Sequence, residues 1–244
     1  MDSYTTNRLI KLNKQFYQTF AAQFSATRAR LQPGVLRVLE MIPSDANILD
    51  LGCGNGELAC ELAQRGHQGL YLGLDFSKEL LDVARAGSLG FPNIHYAQAD
   101  LADPSWNCQL SIVNCQLSIV FAFAALHHLP GRELQLQTLK KVHSLLAPEG
   151  RFIHSNWQFL NSPRLKTRVQ PWDAIGLTSI QVDPGDHLLD WRRGGYGLRY
   201  VHQFSAEELH KLAAETSFTV QETFYSDGQE GNLGLYQVWE KRET

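Results

Sequence analysis

Long apolar runs are missing from this 244-residue chain: no stretch reaches the roughly 18 hydrophobic residues that a membrane-spanning helix needs. The first residues, Met1, Asp2, Ser3 and Tyr4, are polar or charged where a secretory leader carries its apolar core, which predicts a cytoplasmic protein. Cysteine is scarce: Cys53, Cys60, Cys108 and Cys115 form no C-x-x-C pair and have no histidine at ligand spacing, so no metal site is expected. Cys53 and Cys60 read as small apolar residues. An excess of one charge is also missing. The net charge of −3 and pI near 6.3 give no global pull toward nucleic acid, which leaves only local basic clusters. With 43% hydrophobic residues, the chain can bury one substantial core, as a single α/β domain with an elaboration does.

What is present is a buried strand running into three glycines and a helix, in residues 48–59, ILDLGCGNGELA. Gly52, Gly54 and Gly56 permit a tight strand-to-helix reversal and a close approach to a ligand, which the helix start then faces. The spacing is G-x-G-x-G, so the third glycine falls one residue early for the dinucleotide fingerprint. A second strand, residues 69–74, ends at Asp75, 19 residues after Gly56, where a carboxylate can accept hydrogen bonds from two ribose hydroxyls. A third, near residues 94–97, leads to Asp100 and Leu101, and a carboxylate there can take an adenine amino group.

These segments and two later ones, LDLGCGNGELA, LGLDFS, AQADL, VFAFAALHHL and LLAPEGRF, resemble the ordered motifs of class I S-adenosylmethionine-dependent methyltransferases over roughly residues 46–155. The resemblance implies a Rossmann-like α/β fold with a mostly parallel seven-stranded sheet and an antiparallel C-terminal hairpin. It also implies S-adenosyl-L-methionine as cofactor. Gly52, Gly54 and Gly56 would cradle its methionine portion, Asp75 would take the ribose, and Asp100 and Leu101 would frame the adenine. Asp50, Phe76 and Phe121 complete the implied cofactor set. One domain follows: residues 1–42 as an N-terminal helical cap, 43–157 as the cofactor core, 158–203 as a substrate lid after the fifth strand, and 204–244 as a helix and terminal hairpin.

Residues 8–29 place Leu9, Leu12, Phe16, Phe20 and Phe24 at helical spacing, which predicts an amphipathic helix lying across the core. Residues 107–113 and 114–120 are identical heptads, NCQLSIV. Only one copy can occupy a central strand. The second runs directly into FAFAALHH, so residues 117–123 are assigned to the fourth strand and the first copy to an extended loop or edge hairpin. Residues 132–146 read as a helix and 151–157 as the fifth strand. The following 45 or so residues show no clean periodicity and, placed after a strand that ends at the ligand crevice, read as the lid. Ser205 and Glu208 form a capping box that opens a helix, and residues 218–225 and 233–240 form the closing strands.

A narrower resemblance brackets this core. The segment from Phe16 and Tyr17 to FSATR, and RYVHQF at residues 199–204, look like segments of the tRNA wobble-uridine enzymes that esterify a carboxymethyl group. By that resemblance Tyr17 and Arg28 reach the cofactor's methionine end, Arg199 pairs with the substrate carboxylate, and Tyr200 or Trp191 meets the base. A small activating protein partner is also implied by some relatives. Arg164, Lys166, Arg168, Arg192 and Arg193 either track an RNA backbone or form a solvated face.

Methyl transfer is an in-line displacement that depends chiefly on alignment, and an already ionised carboxylate needs no base. The turn that marks amino-nitrogen methylation and the Pro-Cys nucleophile of pyrimidine-carbon methylation are both absent after the fourth strand. His127 and His128 follow that strand; alternation on a strand would turn at most one of them inward, and His127 is the acid–base candidate. The acceptor is thus expected to be a tRNA or a small molecule. A small-molecule O- or N-methyltransferase and a non-catalytic cofactor-binding module remain the alternatives.

Overall fold

The computed structural model describes residues 1–25, 30–106 and 116–242. Arg28, the Phe24 side chain and the first heptad, residues 107–113, lie outside the described residues. The central sheet has seven strands: β1 (Ile48–Leu51), β2 (Tyr71–Asp75), β3 (Ile94–Gln98), β4 (Leu117–Phe123), β5 (Leu146–Trp157), β9 (Phe218–Ser226) and β10 (Gly234–Lys241). They stand in the order β3-β2-β1-β4-β5-β10-β9, parallel except that β10 runs antiparallel to both β5 and β9. All four residues of β1 are buried, the pattern of a parallel strand covered on both faces. One face packs Leu139 and Val142 of α5 (Arg132–Leu145) with Leu209 and Leu212 of α7 (Ala206–Glu215). The other packs Val35 and Val38 of α2 (Pro33–Leu39) with Leu58 and Leu62 of α3 (Glu57–Gln64). The expected Rossmann-like sheet is the one observed.

The second heptad supplies β4, which pairs Ile119 with Ile48 and Phe121 with Asp50, as its continuity with the following apolar run requires. Ser77 caps α4 (Lys78–Gly87) by accepting the Leu80 amide at 3.3 Å. The capping box expected at α7 is only half formed: Ser205 accepts the Glu208 amide at 3.1 Å, but the Glu208 carboxylate turns to His202 instead. Two elements differ more from expectation. β5 starts at Leu146, earlier than the expected residue 151, and runs through Pro148 and Gly150 with a shift of register against β4. The segment expected as a lid, and called the lid below, is not irregular: after the short α6 (Pro163–Lys166), β6 (Val169–Gln170), β7 (Asp186–Trp191) and β8 (Gly197–His202) form a separate antiparallel sheet in the order β6-β7-β8. Asp186 and Asp190 are buried on β7, so the strand lacks the apolar alternation that announces one.

The N-terminal helix, α1 (Ser3–Ser25), starts earlier than its apolar stripe because the Asp2 carboxylate accepts the Thr5 amide at 2.7 Å. It leaves helical geometry at Phe20. Rather than crossing the core alone, α1 lies along the free edge of β8. Asn13 Oδ1 accepts the Tyr200 amide at 2.8 Å, and Asn13 Nδ2 donates to the Tyr200 carbonyl at 3.1 Å. Phe20 lies against Gly197, where any Cβ would overlap its ring. On its other side, Lys14 pairs with Asp100, so α1 joins the lid to the core across the crevice.

Candidate functional site

A cavity of about 890 Å³ lies at the carboxyl ends of the parallel strands, under α1 and the lid. Gly52 and Gly54 line one half with φ of 79° and 56°. A Cβ at Gly52 would come within 2.9 Å of the Ala125 methyl, while one at Gly54 would project into open space. Both positions therefore need glycine's left-handed backbone and leave main-chain groups bordering the cavity. Gly56 serves the fold instead, preceding α3 at φ 80° and lying against Ala84 of α4, outside the cavity lining. Phe121 is likewise a core residue, stacked on Phe123 at 4.9 Å, and Phe123 reaches the cavity in its place.

Asp75 Oδ2 accepts the Gly54 amide at 3.0 Å and its Oδ1 accepts the Ser77 amide at 2.9 Å, which fixes the carboxylate at the end of β2. Burial raises its pKa, and these backbone donors oppose the rise. Asp50 sits deeper. Burial pushes its pKa up to about 7, against the Tyr71 hydroxyl that donates to it at 2.6 Å. Phe76, Asp100 and Leu101 also line this half, and the Asp100 carboxylate is engaged by Lys14 and by the Ala102 amide at 3.0 Å. Exposed glycine backbone, a fixed carboxylate at the second strand and a carboxylate with apolar neighbours at the third fit a nucleoside linked to an amino acid.

The other half is built around Arg199 on β8. Its guanidinium is ringed by Trp157 at 5.0 Å, Phe16 at 5.3 Å and Trp191 at 5.8 Å. The residue is 7% exposed, its buried Nε has no hydrogen-bond partner, and among the described residues it forms no ion pair. Nη1 donates to the Tyr17 hydroxyl at 3.4 Å. Tyr17 thus meets Arg199 and His128 at the junction of the two halves. Its ring edge also meets Phe76 at 5.9 Å.

Both histidines line the cavity, because they lie on a 3-10 turn at Leu126–His128 where strand alternation does not apply. His127 Nδ1 accepts the Trp157 amide at 3.2 Å. Arg164, Arg168, Arg192, Arg193 and Trp191 form the lid wall, and the buried Asp190 holds Arg168 and Arg192. Lys166 is not part of that wall, and Tyr200 points away from it, fully buried, with its hydroxyl donating to Asp186 at 2.7 Å. Asn13 and Lys14 have no motif to mark them, and only the packing of α1 brings them to the site; Trp157, equally unmarked, arrives at the end of β5, and His128 arrives with the histidine turn.

Residues 48–150 match the family model described as a methyltransferase domain. Trans-aconitate 2-methyltransferase of Deinococcus radiodurans is 42% identical over 72 residues, 30% of this chain and 27% of that protein. The tRNA (carboxymethyluridine(34)-5-O)-methyltransferase ALKBH8 of Macaca fascicularis is 26% identical over 144 residues, 59% of this chain and 19% of that one. The chain therefore spans about a quarter and a fifth of the lengths of these two curated relatives. A crystal structure of an S-adenosylmethionine-dependent methyltransferase from Methanosarcina mazei superposes with a TM-score of 0.66 at 19% identity, covering 88% of this chain and 99% of that one. Among the described residues, no helix is long and apolar enough to cross a membrane.

Proposed function

We propose that this chain, which carries a methyltransferase domain on the class I S-adenosylmethionine-dependent methyltransferase fold, converts a carboxylate held by Arg199 into its methyl ester. The caged guanidinium carries this proposal: a buried cation with no anionic neighbour among the described residues is matched by an anionic ligand. S-adenosyl-L-methionine supplies an electrophilic methyl group when bound. The backbone at Gly52 and Gly54 holds its methionine portion, Asp75 accepts its ribose hydroxyls, and Asp100 and Leu101 frame the adenine. Arg199 turns one carboxylate oxygen toward the junction at Tyr17, and the aromatic wall excludes water. The acceptor is ionised at neutral pH, so alignment supplies most of the rate.

The preferred acceptor is the carboxymethyl group of a tRNA wobble uridine. The paired FSATR and RYVHQF segments, the match to the ALKBH8 protein and the arginine wall support it. A small polycarboxylate is the second reading, favoured by the 42% identity over 72 residues to the trans-aconitate enzyme. Labelled methyl transfer separates them, with unesterified tRNA in one reaction and trans-aconitate in another. Alkali-releasable label in tRNA supports the first reading, and label in aconitate alone supports the second. Cofactor binding without transfer to any carboxylate would reduce the protein to a cofactor-binding module.

A further inference from the structure

The acceptor half of the cavity holds more chemistry than an ionised carboxylate requires. The Tyr17 hydroxyl stands 2.7 Å from His128 Nε2. His128 Nδ1 lies 3.2 Å from the Tyr200 carbonyl oxygen, which has no proton to give, so Nδ1 carries the proton of the neutral ring. Nε2 is then bare, and the Tyr17 hydroxyl donates to it. Asn13 reinforces this tautomer: its amide nitrogen donates to the Tyr200 carbonyl at 3.1 Å and to the His128 carbonyl at 3.3 Å. A hydrogen bond that merely fastened α1 to the histidine turn would repeat what the Asn13 contact with the His128 carbonyl already does. Instead, both Tyr17 and His128 line the cavity, and the phenol oxygen faces Arg199, where an acceptor anchors.

We infer that Tyr17 and His128 form a proton-accepting pair that extends the site to acceptors still protonated at neutral pH, namely phenolic or enolic hydroxyls on molecules that also carry a carboxylate. This rests on the carboxylate reading above, with Arg199 now anchoring the molecule rather than the reacting group. The hydroxyl proton of the acceptor passes to the Tyr17 oxygen as the proton of Tyr17 passes to His128 Nε2, which leaves an imidazolium. The freed oxygen pair forms the O–CH3 bond while the methyl's bond to sulfur breaks and its electron pair stays on sulfur. His128 returns its extra proton to water when the methyl ether leaves. Tyr17 is the catalytic residue of this step. His128 acts through it.

The test uses the full chain with 4-hydroxybenzoate, which offers both groups, and benzoate and trans-aconitate, which offer carboxylates alone. Alkali-stable label reports ether and alkali-labile label reports ester. The wild type is expected to form ether on 4-hydroxybenzoate. Tyr17→Phe and His128→Gln, in variants that still bind cofactor, should slow ether formation ~100-fold more than ester formation, the usual scale of a general base. In Tyr17→Phe the residual ether rate should rise about tenfold per pH unit, because only the phenolate then reacts. Esters without any ether from the wild type, or equal losses of both products in the two variants, would overturn the pair and leave the carboxylate reading standing. No transfer to any of the three acids would also overturn the pair, and label in unesterified tRNA with the same preparation would show that the carboxylate reading outlives it.

Discussion

Replacing Arg199 by Met separates a residue kept for its ligand from one kept for the fold. Arg199 is 7% exposed, and among the described residues its Nε is unpartnered and its guanidinium has no carboxylate partner. Its desolvation costs several kcal/mol, which three aromatic faces at 5.0–5.8 Å offset by roughly 1 kcal/mol each. Met fills similar volume among the same rings without the charge, so stability should stay level or rise by about 1 kcal/mol, some 2–4 °C in Tm for a chain of this size. The acceptor, in contrast, loses a charge-assisted pair worth about 3 kcal/mol, or ~100-fold in kcat/KM. Differential scanning fluorimetry and methyl transfer to a carboxylic acid read the two effects on one preparation. A Tm drop of more than about 4 °C with unchanged kcat/KM would make Arg199 a structural residue and refute the reasoning.

Asp75→Ala should weaken cofactor binding by ~30–100-fold in calorimetry through the loss of two ribose hydrogen bonds, and unchanged affinity in a folded variant would refute the ribose assignment. The pH dependence has two sides. Burial alone would lower His202, but hydrogen bonds to Asp186 at 2.7 Å and Glu208 at 3.0 Å outweigh it and raise the pKa to about 9. This contribution, about 3 kcal/mol, is complete below the unfolded value of about 6.5 and is lost as pH rises through about 9, so His202→Gln should flatten the alkaline limb of a Tm–pH curve. His154 has the opposite sign: burial lowers it to about 3, so its contribution is present above about 6.5 and falls away as pH drops, and His154→Phe should flatten the acid limb. Deleting residues 107–113 should leave Tm unchanged or higher, because the second heptad already fills β4; a large fall would show that the first copy supports the fold.

The core was legible because its signals are local. A glycine needed at φ 79° beside Ala125 leaves a fixed spacing in the sequence, and an all-buried β1 leaves an apolar run. The tandem heptad was resolved by continuity, since only the copy joined to FAFAALHH can lead from β4 to the histidine turn. The lid sheet was hidden for a physical reason: Asp186 is satisfied by Tyr200 and His202, and Asp190 by Arg168 as well as its neighbour Arg192, and pairing across 14 to 22 residues leaves no period. Arg199 was accessible only through a family-like segment, and the rings that cage it come from α1, β5 and β7. His128 was obscured by treating the histidine pair as a strand when it belongs to a tight turn.

The Asn13 side chain meets both backbone groups of Tyr200 as a neighbouring strand would. An exposed strand edge is a template for joining another polypeptide, and a three-stranded sheet has two such edges. On β8 one amide side chain occupies the template position, so the lid cannot recruit a foreign strand there while α1 is seated. Loss of that single amide, as in Asn13→Leu, would leave a sticky edge in an otherwise intact fold, so the protein's shelf life in concentrated solution depends on one buried side chain outside the core of the central sheet.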